Sequence, residues 1–160
     1  MSTFYVPTTA EKYWDDAIEG DECISPTYEI TGERITAYGE LVGDITPLHM
    51  DEAAAKASHF GTRVAHGLFG LAIADGLKTR SDYRFLPGIS LGWTWDFVLP
   101  LKIGDTVHVK FRIAGLRLSR SRPGWGIVII PSELINQNGQ VVQKGEHRLM
   151  IARHPDKVGI

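Results

Sequence analysis

The stretch "RVAHGLFGLAIADGLKTR", residues 63–80, is apolar on almost every side until Asp75, the pattern of a buried helix. Such a helix needs other chain wrapped around it. The sequence supplies that cover after residue 87, in "ISLGWTWDFVLP", "DTVHVKFRIAGLRL", "WGIVIIPSELINQ" and "QVVQKGEHRLMIA". These segments are rich in β-branched and aromatic residues, and "PLKIGD", "SRSRPG" and "NQNG" divide them as turns. "TVHVKFRI" and "GEHRLMIA" alternate apolar with polar, so those strands expose one face. "CISPTYEIT" offers one earlier strand. The expectation is an α+β fold with a central helix inside an antiparallel sheet. A single-layer wrap leaves edges and an apolar rim, which a second copy of the chain would cover.

Shorter helices precede the central one. "TGERITAYGELVGD" spaces Ile35, Tyr38, Leu41 and Val42 helically, and Gly43 suits a helix end. "DEAAAKAS" is alanine-rich, with acids first and lysine near its end, as the helix dipole favours. Lys78 and Arg80 read in the same way as the basic end of the central helix. With no internal repeat or linker, residues 1–160 are expected to form one domain, with its core over about 15–153 and peripheral ends.

A net charge of −2 gives no broad attraction to nucleic acid or to an anionic membrane. The lone Cys23 excludes an internal disulfide and a multi-cysteine metal site, and suits the reducing cytoplasm. The N-terminal residues lack a basic start followed by an apolar run, and no stretch approaches the roughly 20 apolar residues of a membrane span. A cytoplasmic protein is expected.

The chemistry concentrates in "VGDITPLHMDEAAAKASHFGTRVAHGLFG", residues 42–70. On a regular helix, residues five apart point roughly 140° away from each other, at about 100° per residue, so Asp44 and His49 cannot converge on one. Pro47 removes a donor and pushes Thr46 towards an extended backbone, while Gly43 loosens the turn before Asp44. "GDITPLH" therefore reads as a loop able to curl an acid and an imidazole towards one water, the makings of a general acid/base pair. The plainer alternative makes Asp44 a turn residue and His49 a neighbour of the next helix start. Glycine in the first turn of a buried helix also needs a reason. At Gly67 one reason is backbone exposure, with N–H groups at a helix start stabilising a developing oxyanion. The other is close packing of helix on sheet.

"YGELVGDITPLHMDEAAAKAS" followed by "HFGTRVAHGLFG" resembles the MaoC-like dehydratases, a family that includes the R-specific enoyl-CoA hydratases. "LGWTWDFVLPLKIGDTVHV" is similar to the family's strand and "GD" turn, so the resemblance covers most of residues 25–152. It implies a hot-dog fold, a long central helix wrapped by a curved antiparallel β-sheet. It further implies pairing of two such units, with an acyl-CoA or acyl-carrier thioester near their interface. Asp44 and His49 fall on the family's catalytic acid and histidine, and Gly67 on the glycine whose N–H faces the thioester oxygen. His66 matches a position of structural rather than chemical role and, with Gly43, Thr46 and Pro47, supports the loop. Val42 replaces a usual small residue and Thr46 a usual asparagine, and a hydroxyl replaces only part of an amide's hydrogen bonding.

The activity implied is hydration of 2-enoyl-CoA, or dehydration of 3-hydroxyacyl-CoA, with no metal and no cofactor beyond the coenzyme A of the substrate. Arg120 and Arg122, in "RLSRSRPG", are candidates for CoA phosphate contacts, against the alternative of a solvated hairpin tip. Trp93, Trp95, Phe97, Phe69 and Tyr38 are candidates for an acyl tunnel or for core. His49, Asp51, His59 and His66 lack the spacing of a zinc motif, and no G-x-S-x-G elbow occurs. The alternatives are a hot-dog thioesterase and a non-catalytic acyl-thioester-binding subunit of a heteromeric dehydratase.

Overall fold

The computed structural model describes residues 11–85 and 88–158, so the leader reading of residues 1–10 lies outside it. Helices α1 (Gly32–Val42), α2 (Pro47–Met50), α3 (Glu52–Ala57) and α4 (Gly67–Lys78) come early. Seven strands follow or flank them: β1 (Glu22–Ile24), β2 (Tyr28–Glu29), β3 (Gly88–Phe97), β4 (Thr106–Arg112), β5 (Gly115–Leu118), β6 (Trp125–Ile135) and β7 (Val141–Ala152). They form one antiparallel sheet in the order β1-β4-β6-β7-β3, with β2 also on β4 and β5 also on β6.

Local chemistry sets the helix ends. Thr31 accepts from the Arg34 amide to start α1, and Gly43 ends it in the left-handed region at φ 77°. Asp51 accepts from the Ala54 amide to start α3. The segment read as one loop contains a helical turn instead: Pro47 is the first residue of α2, where its missing N–H costs nothing. The segment "DTVHVKFRIAGLRL" is two strands, because the chain changes partner at residues 113–114. Ile113 N–H donates to Asp21 and Ala114 N–H to Ile129.

Phe69, Ile73, Ala74 and Leu77 of α4 join Val107, Val109, Phe111, Val128, Ile130 and Ile151 of the strands in one core. Each large side chain buried there contributes roughly 1.5–3 kcal/mol. One expectation needs correction. The helix is not covered all round: Leu68 is 61% exposed, and Ala72 and Gly76 continue the exposed stripe at four-residue spacing. Lys78 is the basic residue of the last turn, as expected, and at 6% exposure it lies inside the fold. No helix of the described residues is long and apolar enough to cross a membrane.

β3 ends the sheet path, and a bulge between Ser90 and Gly92 resets its register on β7. At Gly145 of β7 a Cβ would lie 2.0 Å from the Thr94 carbonyl oxygen and 2.7 Å from the Trp95 ring, so only glycine lets these strands approach. Gly145→Ala is therefore expected to destabilise the fold by roughly 1–3 kcal/mol, the usual cost of overpacking, read from the midpoint of urea unfolding.

Candidate active site

Asp44, His49 and His66 come together although they sit on three different pieces of chain. One potential ligand atom from each lies within 4.8 Å of the others. Asp44 follows the left-handed Gly43 and folds back on Thr46. Its Oδ1 accepts from the Thr46 hydroxyl at 2.6 Å and from the Thr46 amide at 3.2 Å. Those two bonds, the hydroxyl's first, hold the Asp44 carboxyl below its ordinary range, and the nearby His66 and His49 add to the effect. Thr46 thus braces the acid directly. Oδ2 stays apart, 3.8 Å from His66 Nε2, in a side chain 47% exposed.

His49 is oriented by backbone. Its Nδ1–H donates to the Val64 carbonyl at 2.7 Å, which leaves Nε2 as the unprotonated nitrogen of the neutral ring. Its own carbonyl accepts from Arg63 Nε. The Arg63 guanidinium also reaches Thr36 Oγ1 at 2.8 Å and the Gly32 carbonyl at 3.2 Å, tying α1 to α2. The sequence reading missed Arg63, because nothing in "GTRVAHG" marks that arginine as facing inward. His66, 4% exposed, donates from Nε2 to the Asp44 carbonyl at 2.9 Å and stacks on His49 with centroids 4.0 Å apart. A Cβ at Gly39 would stand 2.9 Å from that same Asp44 oxygen and 3.1 Å from His66 Cε1.

Gly67 is the first residue of α4, so its N–H has no carbonyl within the helix to donate to. Its carbonyl accepts from Gln143 Nε2 at 3.1 Å, which pins this helix end to β7. The close-packing explanation also applies: a Cβ here would fall 2.8 Å from the Phe97 ring. Around this end Val42, Ile45, Leu68, Phe97, Val98 and Leu99 are all exposed apolar side chains.

Arg120 and Arg122 are not brought to this end within the chain. They occupy the turn before Trp125, which pairs with Ala152, whereas the Gly67 contact on β7 is Gln143. Nine residues of strand separate the two positions, about 30 Å at about 3.3 Å per residue. Asp44, His49 and His66 are the described residues able to hold a cation together. One nitrogen of each ring is bonded to a backbone carbonyl, and the second nitrogen of the His49 ring, beside a carboxylate, suits proton transfer.

A single sheet packed on one central helix, with an acid and an imidazole at that helix's N-terminus, defines a hot-dog protein. A Mycobacterium tuberculosis protein described as a double hot-dog fold superposes with a TM-score of 0.79 over 91% of this chain and 46% of that one, at 21% identity, a likeness of fold alone. The sequence profile described as "MaoC like domain" matches residues 16–124, and the chain belongs to that family. It is 37% identical over 98 residues to 3-hydroxybutyryl-CoA dehydratase of Methylorubrum extorquens, covering 59% of this chain and 59% of that protein's length. It is 30% identical over 116 residues to the (R)-specific enoyl-CoA hydratase of Aeromonas caviae, covering 71% of this chain and 80% of the relative. The MaoC-like dehydratase structure from Rhodospirillum rubrum has a TM-score of 0.79 and 31% identity, over 90% of this chain and 99% of that one.

Thr46→Val removes the larger of the two bonds that depress the Asp44 titration. Its midpoint should rise towards the ordinary carboxylate value, so that ionisation is lost at higher pH, as followed by carbon NMR of the carboxyl group. An unmoved midpoint would show that the hydroxyl is not the cause.

Proposed function

We propose that the chain is a hydratase/dehydratase of 2-enoyl-CoA and 3-hydroxyacyl-CoA thioesters. The observation that carries this reading is the His49 ring, held through Nδ1 by the Val64 carbonyl, beside the Asp44 carboxylate and the His66 that precedes α4. The names of the Methylorubrum and Aeromonas relatives support the same reaction class.

In a 2-enoyl thioester the carbonyl makes Cβ electrophilic. Asp44 and His49 hold a water between them; as its oxygen bonds Cβ, one of its protons passes to the pair. The electron pair of the double bond moves onto the thioester oxygen as an enolate. The Gly67 N–H donates to that oxygen, an interaction of a type worth about 3–4 kcal/mol in the transition state. A proton from the pair then returns to Cα and the carbonyl re-forms, so substrate plus water gives the 3-hydroxyacyl thioester with nothing left over. The reverse sequence is the dehydration. Which residue carries each proton is a property of the coupled pair. Coenzyme A, or a carrier protein bearing the same phosphopantetheine arm, belongs to the substrate, and no metal or redox group enters. The proposed compartment is the cytoplasm.

The working form is a homodimer. The exposed apolar side chains at the site, the uncovered stripe on α4 and the edge strand β3, with Ile89 and Leu91 each 41% exposed, support a second copy as their cover.

Two tests follow from this reading. The purified protein should remove the conjugated absorbance of a 2-enoyl-CoA. Asp44→Asn and His49→Gln should each lower turnover by about a hundredfold or more while circular dichroism and melting stay unchanged. Near wild-type rates in both variants would remove the assignment, and release of free thiol would identify a thioesterase instead. Ile89→Lys, on the edge strand, should turn the dimer into a monomer by sedimentation velocity; a monomeric wild type would overturn the assembly.

A further inference from the structure

Between the C-terminal half of α4 and the inner face of the sheet lies a cavity of about 260 Å³. Most of its wall is apolar, but Asp75, Lys78, Ser90 and His147 form a polar cluster in it that the hydration chemistry does not use. Lys78 Nζ lies 2.6 Å from His147 Nδ1, 3.6 Å from Asp75 Oδ1 and 4.1 Å from the centre of the Trp93 ring. His147 stacks on Trp93 at 3.9 Å, and its Nε2 is 2.8 Å from Ser90 Oγ.

The hydrogen bonds have one consistent direction. An ammonium has only donors, so Lys78 donates to His147 Nδ1, the ring proton sits on Nε2, and Nε2–H donates to Ser90 Oγ. The Ser90 hydroxyl proton is then left to donate, with no acceptor for it among the described residues. Burial first, and the Lys78 charge second, lower the His147 titration to about 3, so the ring stays neutral. Burial lowers Lys78 to about 8, opposed by Asp75, so the ammonium keeps most of its charge at neutral pH. The cluster looks like a Ser–His–Asp hydrolase triad and is not one. The ammonium holds Nδ1 while Asp75 stands off at 3.8 Å, and a ring so weakly basic does not take a serine proton.

A seam of side-chain contacts runs from the cavity to the proposed catalytic end. Gln143, which holds the Gly67 carbonyl, accepts from Trp95 Nε1 at 2.9 Å. Trp95 meets Trp93 edge to face at 5.3 Å, and Trp93 lies on His147. From Gly67 to Lys78 the helix rises about 16 Å, less the backward tilt of the lysine side chain towards the helix start. An acyl chain laid along this seam with its thioester at Gly67 ends among donors rather than among hydrocarbon.

We propose that this cavity receives the far end of the acyl chain and that Lys78 and Ser90 select thioesters whose chain ends in a carboxylate. The proposal rests on the acyl-thioester reading above and gives it a substrate class: dicarboxylic enoyl thioesters rather than plain fatty ones. The carboxylate accepts from the ammonium and from the free Ser90 hydroxyl, while Asp75, half exposed, balances the buried charge when the cavity holds no ligand.

The test uses saturated thioesters, which lack the double bond and so bind without turnover. Calorimetry would compare succinyl-, glutaryl-, adipyl-, suberyl- and sebacyl-CoA with the monoacid thioesters of the same lengths. At one or more lengths the diacid thioester should bind at least tenfold more tightly. Lys78→Met should erase that preference without weakening the monoacid thioester, and Ser90→Ala, which disturbs less packing, should reduce it. Equal or tighter binding of the monoacid form at every length would overturn the proposal, as would a preference that survives Lys78→Met. Should Lys78→Met fail to fold, an unchanged preference in Ser90→Ala and Lys78→Gln would overturn it in the same way. The enoyl-CoA absorbance assay separates the two readings. Diacid preference without hydration keeps the pocket and loses the hydratase; hydration of plain enoyl-CoA without diacid preference does the reverse. Failure of every thioester to bind removes both.

Discussion

The seating of α4 on the inner face of the sheet sets the position of everything with chemistry in it. Four apolar residues, Phe69, Ile73, Ala74 and Leu77, hold the helix there. Its first turn is then fixed by polar contacts that the burial makes possible. Gln143 fastens the Gly67 carbonyl, and His66, just before the helix, fastens the Asp44 carbonyl and supports the His49 ring. The loop carrying the acid therefore takes its position from the core as well as from its own hydrogen bonds.

The same seating creates a demand at the other end. Lys78 lies one turn beyond Ala74 on the buried side, and an ammonium taken out of water without partners would be very costly. Here it has a neutral imidazole as acceptor, an aromatic face and a carboxylate nearby. Replacing such a group by hydrocarbon is often neutral or stabilising in proteins, so stability alone is a weak reason for a lysine at this position.

The sequence made the fold legible where local rules act alone. Thr31, Gly43 and Asp51 cap helices as their chemistry dictates, and the alternating strands appear in place. Asp44 and His49 were readable as a pair because Gly43 and Pro47 break the helix between them, whereas His66 was marked only by the family resemblance. What escaped depends on contacts across long separations. His147 reaches Lys78 over 69 residues, and a lysine at a helix end has the same local signature whether it points to water or inward. Arg63 likewise has no local mark, since its partners lie on α1 and α2. The arginine turn illustrates the same limit: composition marks Arg120 and Arg122 as candidates for phosphate contacts, but only strand register shows how far along the sheet they stand from Gln143.

The His49 ring has a tether with a mechanical consequence. Its Nδ1–H is bound to the Val64 carbonyl, the neighbouring Ala65 amide is bound to the Leu101 carbonyl at 2.7 Å, and Val64 bridges to Lys102. Just before Leu101, from Phe97 to Leu99, apolar side chains stand uncovered. A force applied to that segment travels through two hydrogen bonds to the nitrogen that decides where the ring keeps its proton. The orientation of the His49 ring is therefore set by the segment that follows β3 as much as by the loop in which the histidine sits.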